Sequence, residues 1–316
     1  METGQILYKQ LTVGDWALKV QFNKARIRSS AAKVDAASIA KRPCFLCKKN
    51  RPPTQQAIDY QGRYELLQNP FPIFPEHLTV PTYEHTPQCM TGRFADMLAL
   101  AKDLPAYTIF YNGPRCGASA PDHMHFQAGS RHFMPIEKQW QSRIGAHLAV
   151  EGKARLHLME DAPRNTLLMI ADKAEDAVVL FENITKALNK ITNDSATPFS
   201  PPLRDTSHQA GEEIHPSNLE GEQDGEPRLN VLTYFEGGQW FTFVFPRTKH
   251  RPSCYFAEGE EQMVISPASV DMGGVFITAR EQDFQRITTG DVEKIFQEVC
   301  WQTKEIELFK TTINSL

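Results

Sequence analysis

Features of secreted and membrane proteins are missing from this sequence. No run of eighteen or more apolar residues occurs in its 316 residues, and the N-terminus lacks the positive segment and apolar core of a signal peptide. Basic charge is not in excess either, because the formal net charge is -4 and the pI is near 6.2. General nucleic-acid binding is therefore disfavoured. We expect a cytoplasmic protein with no membrane or nucleic-acid partner and with a local phosphate site.

Cysteine is too sparse for a disulfide framework. A long chain with six cysteines and no signal peptide is expected to keep them as thiols or metal ligands. Cys44 and Cys47 form a CxxC pair, which alone fits a redox pair, half of a zinc ribbon, or one side of a shared zinc site. No second CxxC follows at ribbon spacing, which favours the shared site. The other four are scattered, and we expect structural roles for them.

One long polar segment divides an otherwise ordinary globular composition. Hydrophobic residues make up 41% and charged residues 23% of the chain, close to globular averages. The stretch 193–226 is polar and proline-rich and has no sustained apolar period, so we predict a linker or a lid loop there. This divides the chain into an N-terminal half, 1–192, and a C-terminal half, 227–316.

The periodicity of each half indicates sheet plus helices. β-rich runs bounded by proline and glycine alternate with amphipathic stretches, without a strict βαβ repeat, so we expect an α+β fold with an antiparallel sheet and covering helices. The predicted strands are 63–67, 78–81, 108–112, 123–128, 229–235, 240–245 and 275–278, and the predicted helices are 94–104, 174–191 and one from about 291.

The stretch 111–129 is the most informative, because a Gly- and Ser-rich loop leads directly into an alternating strand. Successive side chains of a strand point to opposite faces. His123, His125 and Gln127 should therefore share one face, while Met124 and Phe126 anchor the other in the core. We predict a fixed row of polar groups.

Imidazole in such a row suits attack on phosphorus. It is largely neutral near pH 7, is nucleophilic without ionisation, and leaves readily from a phosphoramidate. The flanking loop, 113–119, offers backbone N–H groups and a hydroxyl, which are the donors expected around a phosphate.

The sequence His123-Met-His125-Phe-Gln127 resembles the His-x-His-x-Gln signature of the histidine triad superfamily, in the branch that contains galactose-1-phosphate uridylyltransferase. The resemblance implies two histidine triad-like halves packed together. It also implies that His125 attacks the α-phosphorus of a nucleotide, that Gln127 binds a non-bridging phosphate oxygen, and that Ser119 holds the adjacent phosphate.

Glutamine at the third motif position has a consequence of its own. Histidine triad hydrolases carry there a histidine that protonates the leaving group, which Gln127 cannot do. A phosphate leaving group, with a pKa of roughly 6–7, departs without such an acid. The sequence therefore favours transfer between phosphate-bearing groups over hydrolysis.

A second resemblance concerns zinc. The stretch RPCFLCKKNRP is similar to the zinc-binding segment of the uridylyltransferases, whose remaining ligands are two histidines. The matching positions are Cys44, Cys47, His85 and His123. Such a Cys2His2 set implies a closed, structural zinc site that braces the strand bearing His125.

Further similarities suggest substrate contacts. LLQNPFPIF resembles the family segment bordering the nucleotide, which places Asn69 and Phe71 near the base or ribose. We also include Asn112 as a substrate contact, at the end of the predicted strand 108–112. The C-terminal stretch from 245 is similar to dinucleoside tetraphosphate phosphorylases and GDP-hexose phosphorylases, which implies phosphate binding by Lys249 and Arg247.

The predicted function is nucleotidyl transfer or phosphorolysis through a nucleotidyl-histidine, from a sugar nucleotide or dinucleoside polyphosphate to phosphate or a sugar phosphate. The alternative is a non-catalytic nucleotide-binding protein of the same fold. Base, sugar and acceptor stay open, as does the choice between a monomer and a homodimer.

Overall fold

A large antiparallel sheet carries the fold of the computed structural model, which describes residues 6–159, 163–195 and 226–316. The strands are β1 Leu7–Val13, β2 Trp16–Phe22, β3 Ala57–Tyr60, β4 Tyr64–Gln68, β5 His77–Pro81, β6 Tyr107–Asn112, β7 His125–Ser130, β8 Ile144–Glu151, β9 Ala154–Met159, β10 Leu167–Ala171, β11 Leu229–Glu236, β12 Gln239–Pro246 and β13 Val275–Thr278. The helices are α1 Ile27–Ser30, α2 Ala36–Lys41, α3 Phe94–Asp103, α4 Ile136–Gln139, α5 Ala174–Ser195, α6 Ser253–Phe256, α7 Ser269–Met272, α8 Glu281–Arg286, α9 Thr289–Val299 and α10 Thr303–Ile313.

Ten strands form the main sheet in the order β3-β4-β5-β7-β6-β11-β12-β10-β9-β8, and β1, β2 and β13 form a second, smaller sheet. The main sheet consists of two sets of five strands that meet where β6 pairs with β11. Asn112 of β6 lies opposite Asn230 of β11 at this seam. The two parts of the chain on either side of 193–226 therefore share one continuous sheet.

Two hydrophobic cores cover opposite faces of the main sheet. On one face, α3, α5 and α10 pack against side chains that include Phe126 of β7 and Met124 just before it. The amphipathic stripes of α3 and α5 meet where Phe94 stacks on Phe181, with ring centroids 4.0 Å apart. On the other face lie the three-stranded sheet and the helices α7 to α9, packed around residues such as Phe110. This second face also carries His125.

The expected fold class is confirmed, and so is the helix and strand content around the motif. The turn between β11 and β12 has both glycines in the left-handed region, Gly237 at φ 58° and Gly238 at φ 85°, as a tight hairpin requires. The predicted start of the motif strand, at residue 123, was wrong. The strand begins at His125, so His123 lies in the turn before it and its ring is directed to the Cys44–Cys47 pair instead of sharing a face with Gln127.

Strands β1 to β3 and β8 to β10 were not predicted. Of these, β8 and β9 form one end of the main sheet, where the pairing between them is irregular and interrupts the alternation. Together with β10 they lie beside β12, on the same side of the seam as the C-terminal strands. The division of the chain at 192 and 227 stays a prediction.

Most of the proposed linker or lid, 196–225, lies outside the described residues. At its start α5 continues to Ser195, and at its end Glu226 is buried and accepts hydrogen bonds from the Tyr111 hydroxyl and the Met90 backbone N–H. None of the helices in the described part of the chain combines the length and the apolar character needed to cross a lipid bilayer.

Candidate active site and metal centre

The start of β7 brings His125 and Gln127 onto one face of the sheet. Phe126, between them, is fully buried in the core on the opposite face. On the neighbouring strand Phe110 pairs with Gln127, so continuing the register places Asn112 beside His125. Three predicted site residues are thus brought together by alternation within β7 and by its pairing with β6.

The ring of His125 is fixed by a backbone carbonyl. Its Nδ1 lies 2.8 Å from the carbonyl oxygen of His123, an acceptor, so Nδ1 carries the proton and donates it. Nε2 then keeps its lone pair, and no described residue hydrogen-bonds to it. Gln88 holds the backbone, because its Oε1 accepts from the His125 N–H at 2.8 Å and its amide donates to the carbonyl of the same residue at 3.1 Å.

Burial keeps His125 neutral. Loss of solvation lowers its pKa to about 4, against a small opposing effect of the hydrogen bond to the His123 carbonyl. Near pH 7 the ring is therefore neutral, with a free lone pair on Nε2, and this nucleophile needs no base to activate it.

The amide of Gln127 is oriented by His77. The Ile73 N–H donates to His77 Nδ1 at 3.2 Å, so the ring proton sits on Nε2, which donates to Gln127 Oε1 at 3.0 Å. The two N–H groups of the Gln127 amide therefore point away from His77 and have no protein acceptor among the described residues. They are free to donate to a phosphate oxygen.

Asn112 is oriented in the same manner. Its Oδ1 accepts from the Ser269 N–H at 2.8 Å and the Asn230 amide at 3.0 Å, and the Ser269 hydroxyl lies 2.6 Å from both this oxygen and the Tyr111 carbonyl. The two N–H donors fix the flip of the amide, and its NH2 group is left without a partner among the described residues. His125, Gln127 and Asn112 thus each have one end held by the protein and one nitrogen free.

Next to this row, Cys44, Cys47, His85 and His123 form a cluster whose four ligand atoms lie within 4.8 Å of one another. Sγ of Cys44 is 3.3 Å from Nδ1 of His123, and Sγ of Cys47 is 3.2 Å from Nδ1 of His85. A tetrahedral ion with metal–sulfur bonds of about 2.3 Å and metal–nitrogen bonds of about 2.0 Å has sulfur–nitrogen edges of roughly 3.5 Å. The spacing fits a bound metal ion.

The tautomer of His123 also fits a metal ligand. Its Nε2 lies 2.9 Å from the carbonyl oxygen of Thr82 and donates to it, which leaves a lone pair on Nδ1 facing both sulfurs. On the other side of the cluster, Nε2 of His85 faces a carboxylate oxygen of Asp122 at 3.9 Å. A hydrogen-bond acceptor behind each imidazole is the usual arrangement around protein-bound metals.

Asn69 and Phe71 border the site, in different ways. Both ends of the Asn69 side chain are used internally, since its amide donates to the Thr79 hydroxyl at 2.9 Å and its Oδ1 accepts from the Phe71 N–H at 2.9 Å. Thr79 pairs with Gln127 across the sheet. Asn69 therefore shapes the turn that presents Phe71, whose part-exposed ring lies under the Arg28 guanidinium at 5.5 Å.

The three remaining predicted contacts differ in position. Arg247 is buried, and its guanidinium donates hydrogen bonds to protein acceptors. One of them is Asn230 Oδ1, and the Asn230 amide in turn contacts Asn112. Lys249 is half-exposed and pairs with Glu298 at 2.8 Å. Ser119 is part-buried, and its carbonyl lies 3.5 Å from a guanidinium nitrogen of Arg42. Phosphate contacts by these residues stay predictions.

Four residues that position the site are not among the predicted site residues, and what they share is a contact across strands or loops. They are His77, Gln88, Asn230 and Ser269. His77 opens the strand next to β7, but its contact with Gln127 depends on the pairing register of the two strands. No local signal in the sequence reveals that register.

The two ends of the chain match known families. Residues 2–130 match the model of a domain of unknown function (DUF4922), and residues 223–316 match the model of the GDPGP1-like C-terminal domain. No curated protein matches the sequence.

Among solved structures, yeast Ap4A phosphorylase Apa2 shares the fold. Its complex with AMP superposes with a TM-score of 0.53 at 15% identity, covering 94% of this chain and 89% of the yeast protein. Its complex with Ap4A gives a TM-score of 0.51 at 14% identity, over 95% and 91% of the two chains. The C-terminal family match and the common fold confirm the resemblance to this branch of the histidine triad superfamily.

Proposed function

We propose that this protein, which resembles the phosphorylase and uridylyltransferase branch of the histidine triad superfamily, transfers a nucleoside monophosphate through a covalent bond to His125. The observation that supports the proposal is the neutral ring of His125, whose Nδ1 proton is held by the His123 carbonyl and whose Nε2 lone pair is free. The side chains of Gln127 and Asn112 share the sheet face of His125, and their amide N–H groups suit the non-bridging oxygens of a phosphate.

The proposed reaction has two steps. In the first, Nε2 attacks the α-phosphorus, an Nε2–P bond forms, and the bond to the leaving phosphate oxygen breaks with its electron pair on oxygen. In the second, an oxygen of the acceptor phosphate attacks the same phosphorus and the N–P bond breaks, which regenerates the neutral imidazole. Donor and acceptor are both phosphate-bearing molecules.

Among the described residues beside His125, none offers an acid to a poor leaving group. Gln127, the next residue of β7 on the same face, carries only amide protons, and the adjacent His77 is held as a neutral donor to it. Phosphate and sugar phosphate leave unassisted, with a pKa of roughly 6–7, whereas amines and alcohols do not. Transfer to phosphate-bearing acceptors is therefore favoured over hydrolysis, and nucleotide sugars or dinucleoside polyphosphates are the proposed donors.

Zinc is the metal that we assign to the cysteine and histidine cluster. Two thiolates and two imidazoles form the donor set of structural zinc sites, and the four ligands leave no position for substrate. Its role is to hold His123, the residue whose carbonyl orients the ring of His125.

The adduct itself provides the test. The purified protein is incubated with donors labelled in the α-phosphate: UDP-, GDP- and ADP-sugars and diadenosine and diguanosine polyphosphates. We expect one donor class to leave an acid-labile, base-stable label on the wild type and on His147→Asn, which changes an exposed histidine of the distant edge strand β8. His125→Asn should carry no label.

The alternative function makes a different prediction in the same experiment. A non-catalytic nucleotide-binding protein would show ligand-dependent thermal stabilisation but no adduct with any donor. Equal labelling of the wild type and His125→Asn would place the nucleophile elsewhere and remove the proposal.

A further inference from the structure

The pairing between β6 and β7 ends just before the candidate nucleophile. The last pair of this ladder joins Phe110 to Gln127, although β6 continues to Asn112 and β7 begins at His125. Both strands keep their outer neighbours over these residues, since β6 still pairs with β11 at Asn112 and β7 still pairs with β5 at His125. The main sheet therefore opens between Asn112 and His125.

The side-chain amide of Gln88 fills this opening. Its Oε1 accepts from the His125 N–H at 2.8 Å, and its Nε2 donates to the carbonyl oxygens of His125 at 3.1 Å and Asn112 at 2.9 Å. In an antiparallel ladder, a residue exchanges both of its backbone hydrogen bonds with the residue directly opposite. Gln88 thus takes the place at His125 that the backbone of Asn112 would take if the ladder continued.

The three partners select one orientation of the Gln88 amide. Its oxygen faces one N–H donor, and its two hydrogens face two carbonyl oxygens, so both donors of the NH2 group are used. A rotated amide, or a carboxylate in its place, would set an oxygen against both carbonyl oxygens. The position therefore requires a side chain that accepts at one end and donates twice at the other.

The backbone that carries Gln88 is tied to the loop before β7. Its N–H donates to the Pro121 carbonyl at 3.0 Å, and the Thr86 carbonyl accepts from the Met124 N–H at 2.7 Å. The side chain of Gln88 is buried, so water does not compete for its three hydrogen bonds. The amide is therefore held in the opening by the fold.

We propose that Gln88 is a positioning residue, which spaces Asn112 from His125 and thereby sets where the NH2 group of Asn112 stands relative to the attacking nitrogen. Its hydrogen bonds go to backbone groups of both residues. An amide inserted between two strands holds their backbones further apart than the direct hydrogen bonds of a continuous ladder. The inference rests on the proposed nucleotidyl transfer and deepens it, because it names the residue that sets the width of the site.

Gln88→Glu tests this within one protein, through the pH. The introduced carboxyl group has the same shape, but it has no hydrogen for the carbonyl oxygens when ionised and one when protonated. Burial beside two carbonyl oxygens should raise its pKa from about 4.3 to roughly 6–8. The rate of adduct formation on His125, measured in a single turnover with an α-phosphate-labelled donor, should be about 10- to 100-fold below the wild type at pH 8.5 and within about threefold of it at pH 6.0.

Two control variants accompany this measurement. Gln282→Glu makes the same change at an exposed glutamine of α8 and should match the wild type at both pH values. Gln88→Met keeps the approximate volume but has no group to bridge the strands, and it should be slow at both. His125 itself stays neutral in this range, because burial lowers its pKa to about 4. Zinc content measured in each sample separates a shift of β7 from loss of the metal.

An NMR titration gives a second readout that needs no substrate. In Gln88→Glu the His125 amide proton and the Asn112 carbonyl carbon face the introduced group. Both signals should therefore shift with pH, with the midpoint at which the rate of adduct formation recovers. In Gln282→Glu neither signal should show that midpoint.

The remaining outcomes decide against one proposal or the other. Rates in Gln88→Glu that equal the wild type at every pH overturn the spacing role. A loss that does not depend on pH, with a lower Tm and no titration of the two signals, shows that Gln88 only stabilises the fold and also overturns it. A wild type that forms no adduct with any donor removes the proposed function. In that case titration of both signals keeps the spacing by Gln88, and constant signals remove it too.

Discussion

His123 and His125 are two residues apart in one motif, yet they present opposite ring nitrogens. The Nε2 proton of His123 is held by the Thr82 carbonyl, which frees Nδ1 for the metal cluster. The Nδ1 proton of His125 is held by the His123 carbonyl, which frees Nε2 for phosphorus. In both cases a backbone carbonyl selects the tautomer, and the tautomer decides the role.

The two histidines also differ in what surrounds the free nitrogen. Around His123 are two sulfurs and a second imidazole, a closed set that a metal ion satisfies. Around His125 are the amide donors of Gln127 and Asn112, which have no acceptor among the residues that the structure describes. In the proposed function the first region provides rigidity and the second provides chemistry, and the two are coupled because the carbonyl of His123 orients the ring of His125.

Removing the metal should have the largest effect, because it changes both the His123 region and the start of β7 that carries His125. Cys44→Ser is expected to lower bound zinc from about one ion per chain to near zero and to destabilise the fold by about 3 kcal/mol or more, because a structural metal site contributes directly to folding. The start of β7 should then shift, and kcat should fall by about 10- to 100-fold. Elemental analysis, urea unfolding and steady-state kinetics measure these changes.

Cys89→Ser is the control for that experiment, since Cys89 is a part-buried thiol that does not belong to the metal cluster. Its metal content and stability should match those of the wild type. Equal zinc in Cys44→Ser and the wild type would show that the four residues do not form the site.

A substitution of His77 tests how the groups around His125 are positioned. His77→Phe removes the donor that holds Gln127 Oε1, so the amide is free to rotate and its phosphate-binding N–H groups are no longer fixed. We expect kcat to fall by about 10- to 100-fold with little change in KM, because the lost interaction strengthens mainly in the transition state.

Two further variants separate the positioning of Gln127 by His77 from a general loss of structure. His77→Gln can place an amide N–H where Nε2 was, and it should recover most of kcat. His147→Phe changes an exposed histidine on β8 and should have no effect. A rise in KM with unchanged kcat in His77→Phe would assign this histidine to ground-state binding instead.

The smallest expected effect is the pH dependence of stability at the same histidine. Burial lowers the pKa of His77 to about 3, so between that pH and about 6.5 the unfolded chain binds a proton that the folded chain does not. The folded protein therefore has its full stability above about pH 6.5, and its free energy of unfolding decreases as the pH falls below that value. At pH 5.5 this one group costs about 1.4 kcal/mol.

Urea unfolding of the wild type and His77→Gln at pH 7.5 and pH 5.5 measures that contribution. The difference in unfolding free energy between the two pH values should be about 1.4 kcal/mol smaller in the variant, which has no group to titrate there. Identical pH dependence would show that His77 is exposed enough to titrate normally.

Sequence alone predicted the parts of the site that depend on local pattern. Alternation along β7 placed His125 and Gln127 on one face because strand geometry repeats every two residues. The motif resemblance named the four metal ligands, which the structure gathers within 4.8 Å. The same alternation failed for His123, since the strand starts after it and the turn directs its ring to the cysteines.

The fold alone decided how those groups are held. Which nitrogen of His123 carries the proton, and which way the amides of Gln127 and Asn112 face, depend on carbonyls and side chains tens of residues away. Arg26 and Phe71 meet only because a turn after β2 packs against the turn before β5. Periodicity records which face a residue occupies, whereas pairing register and loop packing, which no local pattern encodes, determine its partners.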